Sequence, residues 1–258
     1  MVFVKELIRY REFLKTSIKK EFRGKYKKSF LGILWSFFNP LFQLLIYALV
    51  FPFILRGSGI ENYTMFLIVA LIPWTFFNST ILQSAASIVS NGGIVKKIYF
   101  PRIILPISVT TSNLLNFLIT GIIVIIALFI SQIGISYTIL MLPLIIIMQY
   151  ILQLGLAFIF SSITVYIRDV EYIINIFMML MFYLCPIVYP FEMIPEQYTA
   201  LFNLNPMLHI ICFYRDILYY QKMPSLNSIL VIFALCIAVL IFGYLVFKKL
   251  EKRFVEEL

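Results

Sequence analysis

The chain has 258 residues, of which 62% are hydrophobic and 13% charged, and its mean hydropathy is +0.98. Soluble domains carry about 25% charged residues and do not repeat long uninterrupted apolar stretches, so the composition excludes an ordinary water-soluble fold and reads as an all-α polytopic membrane protein. A net charge of +9 would suit nucleic acid, but no soluble basic domain exists to present it, and attraction to anionic membrane lipid explains the charge without a nucleic-acid partner.

Ten of the 21 Lys and Arg residues lie within the first 28 positions. There Val4, Leu7, Ile8, Leu14, Ile18 and Phe22 recur at helical spacing, with Lys5, Arg9, Arg11, Lys15, Lys19 and Lys20 on the other face. Residues 1–29 are expected to form an amphipathic interfacial helix, apolar side towards the membrane and basic side towards headgroups. A secretory signal peptide is excluded by the length of the charged region and the lack of a small-residue cleavage site.

Residues 30–55 carry no charge over 26 positions, more than the ~20 a membrane-crossing helix needs. Further apolar segments cover residues 63–81, 103–130, 137–165, 172–188 and 226–247, giving six predicted spans within 30–258. With both termini cytoplasmic, 18 Lys/Arg fall inside and three, Arg56, Arg215 and Lys222, outside. The positive-inside rule favours that orientation. After span two, Asn91-Gly92-Gly93 is expected to break the helix, because adjacent glycines are costly in a helix interior. A short basic and apolar piece then runs to Pro101 within the cytoplasmic stretch 87–101. The outer region 189–227 contains Pro190, Pro195, Pro206 and Pro224. Its moderately apolar part, residues 198–213, is too short to cross the membrane and reads as a re-entrant or half-inserted helix, or as a surface helix in an ordinary loop.

The chain lacks the usual seeds of chemistry. No G-x-x-x-x-G-K-[ST] loop occurs, His209 is the only histidine, and Cys185, Cys212 and Cys236 lack metal-ligand spacing. Arg168, Asp169 and Glu171 suit an interfacial ion-pair network better than a catalytic centre.

Four stretches occur in an order that resembles the ABC-2 type permeases of polysaccharide exporters, the family that includes O-antigen and teichoic-acid exporters. They are KYKKSFLGILWSFFNP at 25–40; IVKKIYFPR at 94–102 with Pro106; YIRDV at 166–170 with CPIVY at 185–189; and NLNP at 203–206 followed by Tyr214-Arg215. The resemblance implies a homodimer in the bacterial cytoplasmic membrane, paired with two copies of a separate nucleotide-binding subunit. That subunit would hold ATP and Mg, so this chain is expected to carry no cofactor and no catalytic residue. The implied cargo is a lipid-linked glycan moved outward. Efflux of a small hydrophobic molecule, or an enzyme acting on polyprenyl-linked sugars, are the rival functions.

On the same resemblance, Ile94, Val95, Lys96, Lys97, Ile98, Tyr99, Pro101 and Arg102 would couple to the ATPase, together with Arg9, Leu14, Ile18 and Phe22 of the interface helix. An ordinary cytoplasmic turn is the plainer reading of the first set. Rings stack on the apolar faces of sugars, which makes Phe37, Phe38, Phe42, Tyr47, Trp74, Phe76 and Phe77 candidate pore aromatics; lipid contact or core packing is the alternative for each. Tyr189, Asn205, Pro206 and Arg215 fall in the external gate region. Arg56 and Arg215 could meet phosphate or an acidic sugar; for Arg215 the plainer reading is pairing with neighbouring Asp216 or anchoring of the external helix. Gln43, Asn113, Asn116, Gln149 and Gln153 would bond between helices or face a polar pore.

Overall fold

The computed structural model describes residues 8–25, 29–54, 60–131, 133–134 and 136–258, leaving aside the side chains of Ile33 and residues 51–54. Expectations placed on Val4, Lys5, Leu7, Tyr26, Lys27, Lys28, Leu55 and Arg56 fall outside them. Among the described residues the only regular elements are helices.

Helix α1 (Arg11–Gly24) turns Phe13, Leu14, Ser17, Ile18 and Phe22 inward and leaves Arg11, Lys15, Lys19 and Arg23 exposed. Its apolar face packs on the foot of a later helix, where the Phe13 and Phe100 rings lie 4.7 Å apart. Lys20 Nζ donates to Asn91 Oδ1 at 2.7 Å and Lys25 Nζ to Asn113 Oδ1 at 2.6 Å. After a 3-10 turn at Gly32–Leu34 comes α2 (Trp35–Ile54). Next are α3 (Tyr63–Ala86), a 3-10 turn (Val89–Asn91) and the short α4 (Gly92–Lys97). The glycine pair therefore opens a helix instead of sitting in a loop, with Asn91 at its N-terminal boundary.

Helices α5 (Ile104–Ile130) and α6 (Leu142–Tyr166) follow, then α7 (Val170–Leu184). The predicted span 172–188 ends four residues early because Pro186 forces Cys185 into an extended conformation (φ −102°, ψ 137°). The stretch 198–213 is two helices, α8 (Glu196–Asn203) and α9 (Pro206–Leu218). Asn205 Oδ1 accepts from Met207 N at 3.0 Å, and Pro206 supplies a first-turn residue that needs no backbone donor. None of α8 is buried, whereas most of α9 is packed against α3 and α6. Last come α10 (Leu226–Leu250), a 3-10 turn (Glu251–Arg253) and α11 (Phe254–Glu257).

Four helical stretches are long and apolar enough to cross a membrane: Tyr63–Ala86, Ile104–Ile130, Tyr137–Tyr166 and Leu226–Glu257. Trp35–Val50 and Val170–Leu184 are shorter apolar helices. At 1.5 Å per residue α7 spans about 22 Å, against a hydrocarbon core of about 30 Å.

Helix α3 is the axis of the bundle, its most apolar stretch 78% buried. It touches α2, α5, α6, α7 and α9. Helices α6 and α10 form the tightest pair. The buried positions of α10 are Ile229, Ile232, Cys236, Gly243 and Phe247, a stripe of period near 3.5 that keeps one face on its neighbour. A methyl group added at Gly243 would overlap the Gly155 carbonyl, and one at Gly155 would stand 2.7 Å from Val239 O. Two glycines thus let the backbones touch, which is how membrane helices gain dispersion contact without a hydrophobic driving force.

Candidate functional site

Polar side chains are expensive in hydrocarbon, so those lining open space between apolar helices mark a site. Around α3 two neighbouring cavities share Gln43, Thr75 and Asn78. The first, of about 380 Å³, lies between α2, α3 and α5, with Asn39, Asn113 and Asn116 contributing further carboxamides. The second, of about 240 Å³, lies between α2, α3 and α7 and adds Asn175 with Tyr47, Trp74, Phe182 and Tyr183. Helical spacing accounts for the wall from α2: Asn39, Gln43 and Tyr47 recur every four residues, on one face. Among the described residues Asn39, Gln43, Asn78 and Asn175 have no hydrogen-bond partner in the chain, so their donors and acceptors remain available in the cavities.

The rings of the second cavity form one cluster. Phe182 stands 5.5 Å from Tyr47, 5.9 Å from Trp74 and 5.3 Å from Tyr183. Of the aromatics expected from the sequence, Tyr47 and Trp74 line this cavity, while Phe42 and Phe76 line the first. Phe37, Phe38 and Phe77 line neither; Phe38 stacks on Phe42 at 6.1 Å and Phe77 is buried in the core. Sequence reasoning missed Trp35, Phe182, Tyr183, Asn39, Asn78 and Asn175. The signal in the sequence is a Thr-x-x-Asn-Ser polar break in an apolar helix, at Thr75, Asn78 and Ser79.

The polar groups expected inside the helices divide between the two roles. Gln43 and Asn116 face the first cavity. Gln149 bonds between helices, donating to Pro73 O at 2.8 Å and accepting from Tyr214 Oη at 2.8 Å. Asn113 does both, since its Nδ2 donates to Gln83 Oε1 at 3.2 Å while the residue borders the cavity. Gln153 is fully buried with neither amide atom bonded among the described residues.

At the bundle end that holds both described termini, the expected coupling residues split by exposure. Val95 is buried, whereas Lys96, Lys97, Ile98 and Tyr99 are exposed, Tyr99 by 90%. Ile94, Pro101 and Arg102 are intermediate. Arg9 lies exposed just before α1, and Leu14, Ile18 and Phe22 are half-buried on its inner face.

At the opposite end, the four residues expected at the gate all lie in or contact the segment after α7 or the ends of α7 and α9. Arg215 Nη2 donates to Ile187 O at 2.6 Å and Nη1 to Tyr189 O at 3.2 Å, with the guanidinium carbon 3.5 Å from the centre of the Phe66 ring. Asp216 is not its partner; burial raises the Asp216 carboxyl above its usual range, so desolvation outweighs the nearby Lys222. Arg215 is thereby an anchor of the segment after α7, 3% exposed and unavailable to a phosphate. Asn205 Nδ2 reaches Cys185 Sγ at 3.2 Å, tying the start of α9 to the end of α7, and Pro206 opens α9. Arg168, Asp169 and Glu171 are exposed and form no ion pair among the described residues.

Residues 12–219 match the family described as "ABC-2 type transporter". The "O-antigen export system permease protein RfbA" of Klebsiella pneumoniae is 36% identical over 238 residues, covering 92% of this chain and 91% of that one. The protein of the same description from Myxococcus xanthus is 28% identical over 258 residues, 99% and 98% of the two chains. The "Polysialic acid transport protein KpsM" of Escherichia coli is 25% identical over 215 residues, 81% and 83% of the two chains. With its apolar helices crossing the membrane several times, the chain belongs to the ABC-2 type transporter family.

Proposed function

We propose that this chain is the permease subunit of an ATP-driven exporter that moves a lipid-linked polysaccharide, an O-antigen or teichoic-acid-like glycan, across the bacterial cytoplasmic membrane. The observation that carries the reading is the pair of cavities around α3. Unpartnered carboxamides offer donors and acceptors to sugar hydroxyls, and the Tyr47, Trp74, Phe182 and Tyr183 rings offer faces to sugar C–H groups. A route for small hydrophobic molecules gains nothing from unpaired amides in hydrocarbon.

In this reading α2, α3, α5, α6, α7 and α10 are the six spans, with both termini cytoplasmic as the distribution of basic residues favours. The chain works as a homodimer. Helix α7 buries only Ile174 and Met178, leaving Ile173, Ile176, Leu180 and Tyr183 exposed, so a second copy could cover that face beside the cavities. The exposed face at Lys96–Tyr99 and the outer face of α1 receive two copies of a separate nucleotide-binding subunit, which carries ATP and Mg.

The test is co-purification from native membranes, followed by reconstitution and an ATPase assay with lipid-linked glycan. Expected is a partner ATPase whose hydrolysis changes with the glycan. Hydrolysis that responds only to small hydrophobic compounds would move the chain to drug efflux, and turnover of a polyprenyl-linked sugar by the permease alone would make it an enzyme.

A further inference from the structure

The eight residues after α10 fold back onto the segment proposed above as the ATPase contact. Phe254 is fully buried; its ring meets Phe247 at 5.5 Å and Tyr166 at 6.3 Å. Phe247, Phe254, Val95 and Phe100 belong to one apolar cluster, distinct from the main core, with Phe13 and Leu14 of α1 packed against it. The polar contacts fasten the far end of the segment. Arg102 Nη1 donates to Glu251 O at 2.7 Å, and the Arg102 backbone N–H to Glu251 Oε1 at 3.3 Å. Lys248 holds the other carboxylate oxygen at 2.9 Å, and Tyr166 Oη donates to Leu250 O at 2.7 Å. The near end is met by the last residue: a Cβ added at Gly92 would lie 3.7 Å from Leu258 Cδ2 and 4.0 Å from its Cβ.

Residues 251–258 therefore touch both ends of the stretch 92–102 and the buried side of its middle, leaving Lys96, Lys97, Ile98 and Tyr99 outward. A six-residue helix flanked by extended Ile98 and by Pro101 has few contacts with which to resist a lateral force. We propose that the C-terminal tail is a brace that moves with α4 as one rigid body, so that force delivered by the ATPase reaches α3 and α5 instead of bending the segment between them. Phe254 and Arg102 are then positioning residues for coupling. This rests on the reading of 94–102 as the ATPase contact.

The test uses the complete reconstituted complex. Deleting residues 254–258, or Phe254→Ala, should leave the ATPase bound and hydrolysing while glycan exported per ATP falls by about fivefold or more, the range of a typical coupling energy; Phe254→Tyr should restore it. A Gly92→Cys/Leu258→Cys pair has the Cβ separation of a disulfide, and Gly92 has an ordinary helical φ of −53°. It should cross-link on oxidation without lowering export. Normal coupling in the truncated or Phe254→Ala complex, or loss of ATPase binding in both, overturns the brace. So does failure of the pair to cross-link, or an oxidised pair that halts export until reduced. A wild-type permease that recruits no ATPase instead removes the reading beneath it, and the brace with it.

Discussion

Gly243→Ala is the substitution the packing argues against most strongly. The added methyl would overlap the carbonyl oxygen of Gly155 and sit 2.9 Å from its carbon and 3.1 Å from its Cα. Ordinary contact starts near 3.4 Å, so α6 and α10 must part by half an ångström on the carbon alone, and by more to clear the oxygen. Both obstacles are backbone, so no side chain can swing aside. Overpacking of this kind costs about 1–3 kcal/mol, and for a chain of this size that is a fall in melting temperature of roughly 2–12 °C. Gly155→Ala meets Val239 O at 2.7 Å and Leu240 Cα and N at 2.8 Å, and should fall somewhat less. Gly121→Ala is the control: it lies inside α5 with nothing within 4 Å of the new methyl, and better helix propensity should make it neutral or stabilising by about 0.5–1 kcal/mol. The assay is thermal denaturation of the purified permease in detergent, read as loss of the monodisperse peak. The reasoning is refuted if Gly243→Ala melts with the wild type, or if Gly121→Ala falls as far as it does.

Arg215→Lys keeps the charge but loses the forked donation to Ile187 O and Tyr189 O and the stacking on Phe66; a loss of about 2–4 kcal/mol is expected, with faster proteolysis at residues 187–195. Gln149→Leu and Tyr214→Phe should each cost about 1–3 kcal/mol, and the double variant distinctly less than their sum because they share one bond; additive losses would refute that bond. Burial lowers the Lys25 ammonium from 10.5 to about 8, with Glu21 opposing, so the folded chain sheds this proton before the unfolded chain does. Stability from this group then rises with pH between about 8 and 10.5 and is flat below, and Lys25→Met should abolish the rise in pH-dependent melting curves. Trp74→Ala, which opens the aromatic cluster of the second cavity, should slow glycan export severalfold while basal ATP hydrolysis persists; unchanged export would remove the ring from the route.

Hydropathy located the long helices because a bilayer demands apolar length, and α5, α6 and α10 lie within a few residues of the expected spans. It misjudged α7 because residues 185–189 stay apolar while Pro186 ends the helix; the constraint is steric and invisible to a hydropathy average. The break between α8 and α9 was legible, since an Asn cap followed by Pro is a helix start, but the apolar run across it read as one element. The cavity residues were only partly legible for a geometric reason. Trp74, Phe76 and Phe77 differ by 200° and 300° around a helix whose residues turn about 100° each, so no single space can receive all three. Which ring faces which space depends on the neighbours of α3, and a single chain with 42 Phe and Tyr residues gives no means to rank them.

The bundle combines two kinds of helix contact that have opposite consequences for movement. At the α6–α10 seam the backbones touch through Gly155 and Gly243, and α9 is tied to α6 by the buried Tyr214–Gln149 bond. Separating those helices exposes backbone and a buried amide together, so this side resists deformation. On the other side α2 is largely exposed and α7 buries two residues, and both border the second cavity with unpartnered amides between them. Shifting α2 or α7 against α3 breaks few contacts within the chain, and the freed amides already lack partners to lose. On the proposed reading, the route for cargo is cheapest to widen along α2 and α7, with α3, α6, α9 and α10 as the fixed frame. Cross-linking α6 to α10 should leave export intact, whereas fixing α2 to α7 across Tyr47 and Phe182 should stop it.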